Sequence, residues 1–349
     1  MKHRRISQPF ASLAAAALIG ATAPGAASAA QWTAHVAAQS PDLGSQVQAF
    51  LPNEMWVHAG DSIRWTLSST EIHTVSFLTA TQLRPPNFGP VFGASVGCPG
   101  STPDGAPFDG TSCVHSGLLG QGPLTVGPGL QTYSVTFPSP GNFKLSCLVH
   151  PDMEGTIHVL NASTPLPHNQ AFYDAEALRQ GVTLVPITSA LRGLANSGDA
   201  ENDDNTHSTT VAAGVGAVVT TTGAGPQSLS LVRFLQPVIV VRVGDTVEWT
   251  NYDPTEPHTV TFGTEPTDPR PPSTNVSPSA DGARQATIGS AADSVNSGLL
   301  VLASQDRPGL SETPPGVTRF RVTFTAPGTY NYICALHDNL GMVGKVIVH

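Results

Sequence analysis

An all-β chain of two similar β-sandwiches, joined by a connector with a short helix, is the fold class the sequence predicts. Three observations carry it. Short runs alternate apolar and polar residues at period two and break at Gly, Pro and Asp, which is how strands and turns are written. The order of these runs in the first half recurs in the second. Only one stretch, between the halves, has helical spacing. A length of 349 residues suits two domains.

The first stretch predicts export. Lys2, Arg4 and Arg5 make a basic start, Ala11 to Ala27 an apolar run and Ala27-Ser28-Ala29 a small-residue cleavage site, so residues 1–29 read as a signal peptide. A membrane anchor is the competing reading. Gly20, Pro24 and Gly25 interrupt the run short of the roughly 20 continuous apolar residues a spanning helix needs. The mature chain is therefore expected to have no membrane span and to lie in the periplasm, outside the cell or at its surface. Arg4-Arg5 is compatible with a twin-arginine signal, although its flanking residues match poorly. Cleavage removes three basic residues and no acidic one, taking the formal charge from −9 to −12. No basic stripe is present, which argues against a nucleic-acid partner. An acidic carrier favours redox partner proteins with a basic docking surface, and the same charge equally serves plain solubility.

After the signal, Gln31 to Val36, Gln46 to Val57 and Ser62 to Leu67 read as strands, with Gly60-Asp61 as a turn. Glu71 to Phe77 alternates again. Thr79 to about Pro128 is a long Gly/Pro/Ser-rich insertion with little regular structure expected. Thr132 to Phe137 and Asn142 to Leu148 are two more strands around a Pro/Gly turn, and the first domain closes at about residue 160. In the second half, Phe234, Gly244 and Trp249 repeat Phe50, Gly60 and Trp65 at an offset of 184 residues. His258 repeats His73 at 185, and Phe324, Gly328, Cys334 and His337 repeat Phe137, Gly141, Cys147 and His150 at 187. Ser297-Gly-Leu-Leu300 echoes Ser116-Gly-Leu-Leu119. Two homologous domains, 31–160 and 210–349, follow, the second with its own insertion at 263–316. The connector, 161–209, contains a short amphipathic helix over Asn169 to Gln180, with Ala171, Phe172, Ala175 and Leu178 on its apolar face and a stop at Gly181. Gly198 to Ser208 is polar and acidic, so the domains are either loosely tethered or docked with only this stretch free.

The chemistry concentrates near the C-terminus. Cys334, His337 and Met342 bring a thiolate, an imidazole and a thioether within nine residues. A strand ending at Cys334, a short loop and a strand starting near Met342 fold all three onto one point. A second imidazole completes a His2Cys trigonal set with a weak axial Met, the donor set of an electron-transfer copper centre. That imidazole is His258. The first half carries the corresponding set His73, Cys147, His150 and Met153. Of the four cysteines, Cys98 and Cys113 sit in the Gly/Pro-rich insertion and read as a disulfide, as an oxidising compartment favours. His35, His58, His115, His158, His168, His207 and His349 lack partner spacing and are expected to be solvent-facing or incidental.

On these ligand motifs both halves resemble the cupredoxins, the blue copper proteins. The C-terminal CALHDNLGMVGKV is similar to plastocyanin and pseudoazurin, and the N-terminal CLVHPDMEG resembles the tighter ligand loop of amicyanin. The resemblance covers the mature chain except the connector and is specific at the ligand loops only. It implies two Greek-key sandwiches, each with one type 1 copper near one end under a partly exposed His ring. Two departures matter. The upstream His and the Cys lie 74 and 76 residues apart, so each insertion falls between ligand strands. Thr74 and Thr259 follow the upstream His where many relatives carry Asn, and a Thr hydroxyl is a candidate brace for the ligand loop. The repeated Ser-Gly-Leu-Leu reads as a buried strand remnant or as an exposed partner patch.

Two linked cupredoxin domains also occur in copper nitrite reductases and small laccases, which need further imidazoles for a catalytic copper. Here Ser146 and Leu148 flank Cys147, and Ile333 and Ala335 flank Cys334. The expectation is therefore a non-enzymatic, exported electron carrier with two copper ions. A copper storage or delivery protein is the alternative, weakened by a total of four Met.

Overall fold

The computed structural model describes residues 29–82, 98, 100–120, 129–150, 152–196, 208–301 and 316–349. Residues 1–28 of the expected signal peptide, parts of both insertions and most of the acidic connector lie outside them. The first half contains β1 (Gln31–Gln39), β2 (Ser45–Leu51), β3 (Glu54–His58), β4 (Ser62–Leu67), β5 (Ser76–Phe77), β6 (Ala106–Pro107), β7 (Val114–His115), β8 (Thr132–Thr136), β9 (Gly141–Ser146) and β10 (Glu154–Leu160). Helix α1 (Gln170–Asn196) follows. The second half contains β11 (Ser208–Val219), β12 (Gln227–Phe234), β13 (Val238–Val241), β14 (Thr246–Tyr252), β15 (Thr261–Phe262), β16 (Ser277–Pro278), β17 (Arg284–Ile288), β18 (Val295–Asn296), β19 (Arg319–Phe324), β20 (Gly328–Ile333) and β21 (Val343–Val348).

Among the described residues the fold is all-β apart from this helix and one short turn of 3₁₀ helix. One eleven-stranded sheet, ordered β16-β17-β19-β14-β11-β12-β2-β1-β4-β8-β6, runs through both halves. Two five-stranded sheets, β3-β10-β9-β5-β7 and β13-β21-β20-β15-β18, face its two ends. Between the layers lie two separate cores, one including Ile63, Trp65, Val135 and Ile157, the other Val247, Trp249, Val322 and Val346. β4 shows why these residues make a strand: Ile63 and Trp65 are buried while Arg64 and Thr66 are exposed, a period of two. β14 repeats this with Val247 and Trp249. The turn before each strand uses a glycine in the left-handed region, Gly60 at φ +97° and Gly244 at +95°, where a side chain would be strained. Buried Asp61 accepts N–H groups from Ala30 at 2.7 Å, Trp32 at 2.8 Å and His58 at 3.0 Å, so its desolvation is offset by three hydrogen bonds.

The halves are docked. β2 pairs antiparallel with β12 in the register Gln48↔Ser228, Val47↔Leu229, Gln46↔Ser230 and Ser45↔Leu231. All of β2 is buried because both its faces are covered. Phe50 enters the first core, whereas Val47, Ala49 and Leu51 lie under the helix.

That helix corrects the sequence reading in length and in face. It continues through Gly181 and Pro186 for 27 residues. Its buried positions are Tyr173, Ala177, Gln180, Leu184, Thr188 and Leu191, while Phe172 and Leu178 are exposed. The four-and-three spacing runs the whole length and packs across β1 and β2 of one half and β11 and β12 of the other. This burial outweighs the intrinsic helix cost of about 1 kcal/mol for Gly and about 3 kcal/mol for Pro. Asn169 caps the start by accepting the Phe172 N–H at 3.0 Å. The Tyr173 hydroxyl both accepts from Trp56 N, at 2.8 Å, and donates to Trp56 O, at 2.9 Å.

The insertions hold more structure than expected, with β6 and β7 in the first and β16 to β18 in the second. Cys98 and Cys113 form the disulfide, their Cα atoms 5.6 Å apart. His115 is buried, not solvent-facing, with its Nδ1 2.8 Å from the Ser76 hydroxyl. Among the described residues no helix is long and apolar enough to cross a membrane.

Candidate metal centres

Each upstream histidine is set by backbone pairing with the repeated Ser-Gly-Leu-Leu. His73 and Leu119 exchange N–H···O bonds of 3.0 and 2.8 Å, and His258 and Leu300 exchange bonds of 3.1 and 2.7 Å. The Ser116 and Ser297 hydroxyls each accept the N–H two residues past the histidine, from Val75 and Val260, at 2.9 Å. Gly117 and Gly298, at φ +73° and +67°, turn the chain between these anchors. Ser116, Leu119, Ser297 and Leu300 are buried, so the repeat is scaffold for the histidine and not an exposed patch.

The remaining groups hang from the β9–β10 and β20–β21 loops. In the first half Cys147 Sγ lies 3.7 Å from His150 Nδ1, which lies 3.0 Å from His73 Nδ1. In the second, Cys334 Sγ lies 3.4 Å from His337 Nδ1 and 3.9 Å from His258 Nδ1. All six side chains are buried. Met153 and Met342 are buried in the adjoining cores, and their carbonyls accept the Cys147 and Cys334 N–H groups at 3.0 Å. The longer second loop takes its extra residues as a 3₁₀ turn, Asp338–Leu340, closed by Gly341 at φ +93°.

Thr74 and Thr259 brace these loops. Their hydroxyls accept the N–H of Leu148 at 2.7 Å and of Ala335 at 2.8 Å. Their own N–H groups point at the thiols, 3.4 Å from Cys147 Sγ and 3.3 Å from Cys334 Sγ. On the far side of the upstream rings, His73 Nε2 is 3.1 Å from the Ser69 hydroxyl, and His258 Nε2 is 4.0 Å from Asp253 Oδ2. Gly214, in a bulge of β11, approaches the His258 ring so closely that a Cβ there would lie 2.0 Å from Nε2.

The expected partly exposed His ring is absent. His150 and His337 are 1% and 5% exposed and face each other across the joint between the halves. Glu71 and Glu256 lie between them, Glu256 reaching His337 Nε2 at 3.1 Å and His150 Nε2 at 3.2 Å. Sequence reasoning missed these carboxylates, although Glu71-Ile-His73 and Glu256-Pro-His258 carry a repeated Glu-x-His signal.

Electrostatics prepare both thiols for metal. Burial raises a thiol pKa, yet the paired imidazoles outweigh it and hold Cys147 and Cys334 well below the usual thiol range. Burial opposes charge on His150 and His337 too. Glu256 and Cys147 hold the first well above the ordinary range; Cys334 and Glu256 do so for the second. His73 is lowered by burial and by the charge of His150. Burial and neighbouring Glu256 push Glu71 up to about 7, whereas the two imidazoles overcome burial and hold Glu256 low. A thiolate and two imidazoles converging in a dry pocket with a thioether in the adjoining core suit a borderline-soft ion such as copper, and the residues fit it in both halves.

Comparison with known proteins bears on the second half. Residues 218–349 match the family of copper binding proteins described as plastocyanin/azurin. A chloroplastic plastocyanin of Hordeum vulgare is 57% identical over 37 residues, 11% of this chain and 23% of that relative. The matched stretch thus spans under a quarter of that protein's length. Among solved structures, a reduced amicyanin mutant is 16% identical over 37% of this chain and 82% of its own, with a TM-score of 0.23. An oxidised amicyanin mutant is 18% identical over 40% and 87%, at 0.22. Over residues 218–349, then, the chain is similar to the copper binding proteins of the plastocyanin/azurin family, and its Cys-x2-His-x4-Met loop lies inside the matched stretch.

Proposed function

We propose that this protein is an exported electron carrier with two type 1 copper centres, one held by His73, Cys147, His150 and Met153, the other by His258, Cys334, His337 and Met342. The observation that carries this reading is that two separate donor sets, built alike, are each buried and pre-assembled. Copper bound in such a set supplies a one-electron couple through a thiolate bond. The chain's residues supply the rest. The sheets hold the upstream His and the loop apart from solvent, so little reorganisation accompanies a change of charge. Thr74 and Thr259 fix the cysteine loops and direct an N–H at each sulfur, which stabilises thiolate character. Met153 and Met342 would add a weak thioether donor to each set. Loops of different length predict two different reduction potentials.

This reading takes 31–160 and 210–349 as the two copper domains, 1–29 as the export signal and a basic-surfaced redox protein as partner. Apolar or hydroxyl residues beside both cysteines favour a carrier over a nitrite reductase or laccase. Storage or delivery is disfavoured by burial, since exchange of the ion would require loop opening. The test is to load the purified protein with Cu(II), count copper per chain and follow the thiolate-to-copper visible band through a redox titration. Two coppers and two reversible transitions are expected, one lost in Cys147→Ala and the other in Cys334→Ala. One copper, or irreversible bleaching, refutes the two-centre reading.

A further inference from the structure

Glu71 and Glu256 are repeat counterparts, each two residues before an upstream histidine, and both are buried, at 6% and 5% exposure. They do not play the same part. Glu256 places Oε1 3.1 Å from His337 Nε2 and Oε2 3.2 Å from His150 Nε2. Glu71 stands off from the same two atoms, at 3.8 and 3.9 Å, and its Oε2 takes a 3.4 Å hydrogen bond from Gln48. The Nδ1 atoms of these two imidazoles face the thiols of their own halves. Each loop imidazole therefore turns one nitrogen to its own donor set and the other to a single carboxylate shared between the halves. A carboxylate on the far nitrogen fixes a ligand imidazole's tautomer and orientation and strengthens its donor atom. Sharing the carboxylate makes that influence common to both sets.

We propose that Glu256 is a shared positioning residue that orients and tunes both loop imidazoles, His337 of its own half and His150 of the other, and that His150–Glu256–His337 is the route for a single electron between the halves. This rests on the two-centre reading. In the exchange one centre would lose one electron and the other gain it; no bond forms or breaks and no outside reductant takes part. Burial supports the assignment. An imidazole at the surface serves an outside partner, whereas one enclosed at this joint serves the other half, through a dry path of three side chains.

The test compares the full-length chain with Glu256→Gln and Glu71→Gln, each also in Cys147→Ala and Cys334→Ala backgrounds that leave one centre. Copper per chain, both reduction potentials, the 15N signals of His150 and His337 in the Cu(I) form, and the rate of electron exchange between centres after pulse reduction are the readouts. In Glu256→Gln both potentials and both imidazole signals shift, in the single-centre backgrounds too, and exchange slows at least tenfold with two coppers still bound. Glu71→Gln shifts them less. The proposal is overturned if Glu256→Gln alters only the second centre, alters neither, or leaves the exchange rate unchanged. It is also overturned if the parent chain binds a third metal ion that Glu256→Gln abolishes, since Glu256 would then be a ligand. If the parent chain binds fewer than two coppers, the two-centre reading fails on its own. The 15N signals of zinc-loaded or metal-free protein then still show whether Glu256 holds both rings. Glu256→Asp, shorter by one methylene, is the second variant should the amide fail to fold, and it is expected to release one ring and keep the other.

Discussion

Gly214→Ala is the sharpest test of how the second centre is built. Gly214 lies in the β11 bulge at φ +83°, and an added Cβ would sit 2.0 Å from His258 Nε2, 2.4 Å from Cδ2 and 2.9 Å from Cε1. Ordinary contact begins near 3.4 Å, so the ring must retreat by about 1.4 Å. It has no free volume to enter, because His258 is wholly buried and its backbone is pinned to Leu300. The left-handed conformation costs an alanine roughly 1–2 kcal/mol, and overpacking a further 1–3 kcal/mol, for a total of about 2–5 kcal/mol. A ring displaced that far leaves a donor set whose members stand 3.4 to 3.9 Å apart. The expected result is one copper per chain with the Cys147 transition intact and the Cys334 transition lost, together with a lower melting temperature of the metal-free protein. The counterpart bulge in β1 already carries a side chain, Ala37 at φ +65°, so Ala37→Gly is expected to keep both coppers. Two coppers with unchanged transitions in Gly214→Ala would refute His258 as the ligand held in this pose.

Two further outcomes follow from the fold. Leu184→Ala, at the buried centre of the helix over the joint, is expected to cost about 2–5 kcal/mol in urea unfolding; a cost near zero would mean that the helix does not hold the halves. His115 is kept neutral by burial, its pKa lowered to about 4 against an ordinary 6.5. The unfolded chain therefore takes up a proton below pH 6.5 that the folded chain refuses. Stability of the metal-free protein is full above that pH and falls toward pH 4 by roughly 1.4 kcal/mol per unit, about 3 kcal/mol in all. His115→Asn should flatten this slope, and an unchanged slope would locate the effect elsewhere.

The convergence of the candidate donor sets was legible because metal-ligating groups are few residue types at restricted spacings. Cys334, His337 and Met342 lie on one loop, and the repeated order of motifs pointed to His258 and His73. Strand alternation was equally plain in β4 and β14, where one face meets a core and the other water. Legibility failed where two halves meet. β2 has partners on both faces, so Gln46 and Gln48 look like solvent-facing residues although they are buried. The helix could not be followed past Gly181, because local propensity cannot register a sheet that covers Leu184 and Leu191 from another part of the chain. The burial of His150 and His337 arises from the same juxtaposition. Its one sequence trace, an acid two residues before each upstream histidine, acquires meaning only when both acids are seen to converge.

The register of β2 against β12 has a consequence of its own. Gln46 pairs with Ser230, its counterpart at the 184-residue offset, and Ser45↔Leu231 and Val47↔Leu229 fall evenly on either side. That is the arrangement two identical subunits adopt about a twofold axis. In such a dimer both carboxylates would have identical surroundings. In one chain they do not: Gln48 restrains Glu71, while the matching position of the second half is Val232, whose side chain offers no hydrogen bond. Joining the two halves in one chain thus releases this symmetry from having to be exact at its axis. It lets one acid specialise while the other keeps its place, and gives the molecule a polarity that no pair of interchangeable subunits possesses.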